Sequence, residues 1–189
     1  MKMKFNPEAH KRRSIRLPGY DYAKSGAYFI TICTYNRETL FGEILGANGV
    51  GPNNIYPEMI YNDFGEIVAA EWLKSTAIRS EIAMDRYVIM PNHLHGIVLI
   101  YGRGDRPVAP TEEHPGPKPK SIGAFIAGFK SAVTKQINAI RQTPYVPVWQ
   151  RNYYEHIIRN GNDMKKIQEY IQNNPSNWLN DEENPANIH

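Results

Sequence analysis

The sequence predicts an α+β fold, an antiparallel sheet covered by helices and close to a split βαβ arrangement. Two observations carry this. Short runs rich in β-branched and aromatic residues are interspersed with longer segments whose apolar residues recur at helical spacing. Their order along the chain is strand, strand, helix, two strands, helix, strand, helix. The 189 residues, 41% hydrophobic and 22% charged, make one domain (1–189) with enough chain to bury a core. They fall short of the roughly 250 residues of a (β/α)8 barrel.

Residues 27–35, AYFITICTY, read as a buried strand, with 40–45 returning as its shorter partner. Gly, Pro and Asn punctuate 46–57, which reads as a loop. A helix is expected from about Asp63, with Asn62 or Asp63 as its N-cap. Two short strands follow, 86–90 and 94–101, with Pro91-Asn92 between them. Residues 121–140 form a second helix, whose Ile122, Phe125, Ile126, Phe129, Val133 and Ile137 fit a 3.6-residue period. Residues 149–158 are expected to be extended. A third helix covers 163–174 and is ended by Pro175.

The net charge of +3 is unevenly placed. A basic arm at 1–19 holds Arg12, Arg13 and Arg16 among other cations, and an acidic tail at 179–189 holds Asp181, Glu182 and Glu183. Such an arm either tracks phosphates or is simply solvated. Prolines and glycines crowd 101–120, a flexible loop between two halves neither of which looks complete alone. The lone Cys33 excludes a disulfide framework and an all-cysteine metal cluster. No apolar run approaches the ~20 residues of a membrane span, and the basic start leads into no signal-peptide core. A cytoplasmic protein with no membrane partner is expected.

The segment 87–100, YVIMPNHLHGIVLI, is the most informative. Alternation along a strand puts His93 and His95 on one face and Leu94 on the other. Two imidazoles on one face can share a divalent ion, although the bare pattern also describes ordinary buried or surface histidines. In KKIQEYIQNNP, Tyr170 and Asn174 are one helical turn apart, beside the apolar stripe of Met164, Ile167 and Ile171. Tyr170 either points toward a site or edges the core, and Asn174 serves equally as a helix stop. Tyr153 and Tyr154 read as packing or base-stacking residues, and Lys130 and Lys135 as a solvated helix face.

Together RRSIRLPGYDY, AYFITICTYNR followed by FGEI, MPNHLHGIV, FKSAVTKQIN, WQRNYYEHIIRN and EYIQNNP, over 12–178, resemble the REP-associated tyrosine transposases of the HUH single-tyrosine superfamily. The resemblance implies a ferredoxin-like, RRM-like palm with a C-terminal tyrosine-bearing helix. It implies that His93 and His95 bind a catalytic divalent ion, that Asn174 completes the metal shell, and that Tyr170 is the nucleophile. Mixed nitrogen and oxygen ligation suits Mg2+ or Mn2+ acting on phosphate. The implied reaction cleaves and rejoins single-stranded, hairpin-forming repeat DNA through a 5′-phosphotyrosyl intermediate, without a nucleotide cofactor. Arg12, Arg13, Arg16, His156 and Arg159 are the expected DNA contacts, in a monomer or a dimer that exchanges tyrosine helices. A non-catalytic nucleic-acid-binding module and a water-using metal-dependent phosphoesterase are the alternatives.

Overall fold

A computed structural model describes residues 20–46, 57–101 and 119–187. The basic arm, most of the Pro/Gly-rich loop and residues 47–56 lie outside the described residues, so the expectations placed on them, Arg12, Arg13 and Arg16 included, are not met or refuted there. Four antiparallel strands, β1 (Gly26–Cys33), β4 (Ile82–Met90), β5 (His93–Ile100) and β6 (Tyr154–Ile158), form one sheet in the order β4-β5-β1-β6. Helix α1 (Asp63–Ile78) links β1 to β4, and α2 (Ile122–Ile140) links β5 to β6. This β-α-β-β-α-β order is the ferredoxin-like arrangement. Helix α3 (Gly161–Asn173) follows as a C-terminal addition.

Each helix starts where a side chain satisfies its free backbone N–H groups. Asn62 accepts from the amides of Phe64 and Gly65, Ser121 from that of Ala124, and Asn160 from that of Asp163. Helix α3 therefore begins two residues earlier than its sequence pattern suggests. Asn174 stands at its C-cap, ahead of a 3-10 turn at Pro175–Asn180.

The alternation of strand side chains sorts the core onto two faces. Tyr28, Ile30, Ile32, Leu94 and Val98 face α1 and α2, packing with Val68, Trp72, Phe125, Phe129 and Val133. Gly96 lies on this face because Trp72 occupies the space its side chain would need. A Cβ there would stand 2.5 Å from the Trp72 ring. On the opposite face Phe29 and Ile97 pack with Ile171, Met164 and Ile167 of α3. A bulge in β4 between Met84 and Tyr87 turns Asp85 and Arg86 toward the same helix. Gln168 donates to Asp85 at 2.8 Å, and Arg86 donates to Gln172 at 2.8 Å.

One expected pairing is corrected. The 40–45 segment does not return onto the first strand. Its ordered part, β2 (Gly42–Leu45), pairs with β3 (Glu58–Tyr61) in a separate two-stranded ribbon. Both edges of β1 are already taken by β5 and β6, so no place on it remains. The 149–158 segment is a strand only over Tyr154–Ile158, although Trp149 forms an isolated bridge with Thr34. No helix among the described residues is long and apolar enough to cross a membrane.

Candidate metal and tyrosine site

The site stands on the α3 side of the sheet. Register alone assembles most of it. Met90, His93 and Cys33 form one row across β4, β5 and β1. Val88, His95, Thr31 and Tyr154 form the next, which reaches β6. Directly opposed residues in antiparallel strands share a face, so both histidines and Tyr154 look toward α3. The two imidazole centroids are 4.4 Å apart, and both rings are buried.

Each ring is oriented by a neighbour on its Nδ1. Asn92 donates its amide to the carbonyls of Arg37, at 3.1 Å, and Glu183, at 2.7 Å. Its Oδ1 is thereby turned toward His93 Nδ1, 2.8 Å away. An amide oxygen only accepts, so the His93 proton sits on Nδ1 and the Nε2 lone pair faces inward. Thr31 Oγ1 lies 2.8 Å from His95 Nδ1, and the Tyr170 hydroxyl lies 3.2 Å from His95 Nε2. With Nδ1–H donating to Thr31, Nε2 accepts from Tyr170.

The chain closes the site from an unexpected direction. The 3-10 turn after α3 folds the tail back, and Asp181 arrives buried, with Oδ2 3.9 Å from His93 Nε2 and 3.1 Å from the Asn174 amide that donates to it. The ligating atoms of His93, His95 and Asp181 all lie within 4.8 Å of one another. The tail is held in place by several bonds. Glu183 meets the Arg37 guanidinium at 3.2 Å and accepts from the Cys33 thiol at 3.3 Å. Trp178 packs beside the His93 ring at a centroid distance of 6.1 Å. The acidic tail is thus a wall of the site, not an appendage.

Two buried polar atoms here have no partner, His93 Nε2 and Asn174 Oδ1. Buried groups are ordinarily paired. A neutral imidazole lone pair and an amide oxygen, each without a donor, stand here beside the Asp181 carboxylate, an arrangement that a cation would satisfy. Burial pushes His93 down to about 4, with the Asp181 charge opposing, and burial beside His93 also lowers His95 well below its ordinary range. Both rings are therefore neutral at pH 7, as metal ligation requires. The His93–His95–Asp181 group fits a divalent ion, and Asn174 brings an amide oxygen to the same place.

Tyr170 stands at the edge of the small apolar cluster, beside His95. Its ring meets the edges of His95 and Phe29 at 5.1 and 6.0 Å, while 46% of the residue stays open to solvent. Burial, together with the Asp181 charge, pushes its hydroxyl up to about 12. His156 lies on β6, opposite Phe29, and Arg159 in the turn from β6 to α3. His156 Nε2 is 3.0 Å from Asp163 Oδ2, and the Arg159 backbone amide donates to the same oxygen at 3.2 Å.

Asp181, Asn92 and Thr31 were not among the sequence candidates. Asn92 has a sequence signal in its adjacency to His93, and Asp181 has one in the Trp178 that precedes it, an apolar anchor in an otherwise polar tail. Lys130 departs from the expected solvated face. Its Nζ donates to the carbonyls of Gln150 and Asn152, both at 2.9 Å, and burial lowers it to about 8. Lys135 is exposed as expected.

No family model matches the chain. An uncharacterized protein of Haemophilus influenzae is 40% identical over 188 residues, covering 96% of this chain and 98% of that one. Among solved structures, a REP-associated tyrosine transposase bound to a REP hairpin superposes with a TM-score of 0.53 at 19% identity, over 82% of this chain and 70% of that one. A further structure, from Deinococcus radiodurans, reaches a TM-score of 0.44 at 13% identity, over 84% of this chain and 95% of that one. The chain belongs to one family with the Haemophilus influenzae protein, and its fold is that of the REP-associated tyrosine transposase.

Proposed function

We propose that the protein is a metal-dependent enzyme that cleaves and rejoins single-stranded, hairpin-forming repeat DNA through Tyr170. The observation that supports this best is the half-open Tyr170 hydroxyl 3.2 Å from His95 Nε2, beside a buried His93–His95–Asp181 group. The structural neighbour bound to a REP hairpin supports hairpin DNA as the partner class.

His93, His95, Asp181 and Asn174 are the residues that would hold Mg2+ or Mn2+. The ion would supply Lewis-acid polarisation of a backbone phosphate. Tyr170 Oη attacks phosphorus, the bond from phosphorus to O3′ breaks, the phenol proton is lost and the departing O3′ takes up a proton. A 5′-phosphotyrosyl enzyme and a free 3′-OH result. The reverse attack by a 3′-OH rejoins a strand. The phosphodiester bond energy is kept in the tyrosyl ester, so no nucleotide cofactor is needed. Packing of α3 against Phe29 and Ile97 holds the nucleophile in position, which lowers the entropic part of the barrier.

The test incubates the protein with labelled hairpin DNA and, separately, Mg2+ or Mn2+, and resolves the products on a denaturing gel. A covalent adduct is expected in the wild type, lost in Tyr170→Phe and in His95→Ala. Cleavage that persists in Tyr170→Phe would assign the attack to water and make the protein a phosphoesterase. Binding without cleavage under either metal would make it a binding module.

A further inference from the structure

The row that carries His95 does not end at Thr31. Its last member, Tyr154, lies on the edge strand β6 directly opposite Thr31, whose hydroxyl bonds His95. Tyr154 is 47% exposed, although its ring sits 6.2 Å from that of Phe29 in an edge-to-face contact. Phe29 in turn stacks on His95 at 5.4 Å and meets Tyr170 at 6.0 Å. Two half-open tyrosines therefore flank one buried ring on the face that holds the histidines.

This placement is built in advance. Lys130 fixes the chain leading into β6 through the carbonyls of Gln150 and Asn152, and its ammonium stands 5.7 Å over the ring of Tyr153. Tyr153 thus packs toward α2, and alternation sends Tyr154 to the opposite face. Exposed cations, Arg151 and Arg159, stand just before and just after β6. An exposed aromatic ring on a strand with cations at its two ends matches single-stranded nucleic acid, whose bases stack on aromatic faces while its phosphates meet positive charge.

We propose that Tyr154 is the stacking platform for a nucleobase flanking the phosphate that Tyr170 attacks, so that it positions the strand and is not a second nucleophile. This rests on the functional reading above, and the experiment separates the two. Fluorescently labelled dT12 and the same strand with abasic positions are titrated into the full-length wild type and into Tyr154→Ala, Tyr154→Phe and Tyr154→Trp. Adduct formation on hairpin DNA is followed in parallel.

Tyr154→Ala is expected to weaken dT12 binding about tenfold. Phe and Trp should restore it, since stacking needs the ring and not the hydroxyl. The abasic strand should bind wild type and Tyr154→Ala equally, because no base remains to stack. Unchanged dT12 affinity in Tyr154→Ala with adduct formation intact overturns the inference alone, as does an equal loss for dT12 and the abasic strand. A wild type that binds no dT12 and forms no adduct overturns the functional reading and this inference with it.

Discussion

Asn92 decides which nitrogen His93 offers to the site. Its amide group is anchored to two carbonyls, so its oxygen has one orientation and the imidazole one tautomer. Partners of this kind typically change metal affinity by about 10–100-fold. Asn92→Ala is accordingly expected to weaken Mn2+ binding by about that factor, measured by isothermal titration calorimetry, with the fold kept. An unchanged affinity would show that His93 is oriented by its packing alone. At this scale the sequence was informative where geometry is local. The spacing of His93 and His95 needs only strand alternation to place both on one face. Asp181 needs a chain reversal after Pro175 and an anchor in Trp178, and neither is a periodic signal. Charge composition alone reads its neighbourhood as a solvated tail.

Between elements, the Gly after the second histidine serves the core and not the chemistry. Gly96 faces away from His95 and lets Trp72 of α1 lie against β5. Trp72 is fully buried among Phe125, Phe129 and Tyr87, with ring centroids 5.4–5.9 Å away. It has little room to retreat from a new methyl group. Gly96→Ala is expected to cost about 1–3 kcal/mol by overpacking, visible as a lower urea midpoint with an unchanged slope. A midpoint equal to wild type would mean that α1 shifts freely on the sheet. The helices were legible from their apolar period, and the first also from its Asn62 cap, whereas the Asn160 cap that starts α3 two residues earlier was not. The partner of 40–45 was not, because alternation marks a strand without naming its neighbour. The exclusion of that strand from β1 follows from β6, which lies more than a hundred residues further along the chain.

In the whole molecule, one sheet separates two tasks. Its α1–α2 face carries the large core, and its α3 face carries a small apolar cluster around which the polar groups of the site are arranged. Tyr170 reaches His95 within a single chain, and the tail after α3 returns to the same point through Asp181 and Glu183. Tyr170, the His93–His95–Asp181 group and the wall that encloses them are thus contributed by segments that meet only when the sheet has formed. That dependence is why the site residues are legible singly and the complete site is not.

The most direct test is the mass of the protein after reaction. The full chain is incubated with a hairpin oligonucleotide and Mn2+, and its peptides are mapped by mass spectrometry. A nucleotide mass joined through phosphate is expected on the peptide containing Tyr170, together with DNA ending in a 3′-OH. Cut DNA alongside an unmodified protein, or a modification on Tyr154 in place of Tyr170, would contradict it.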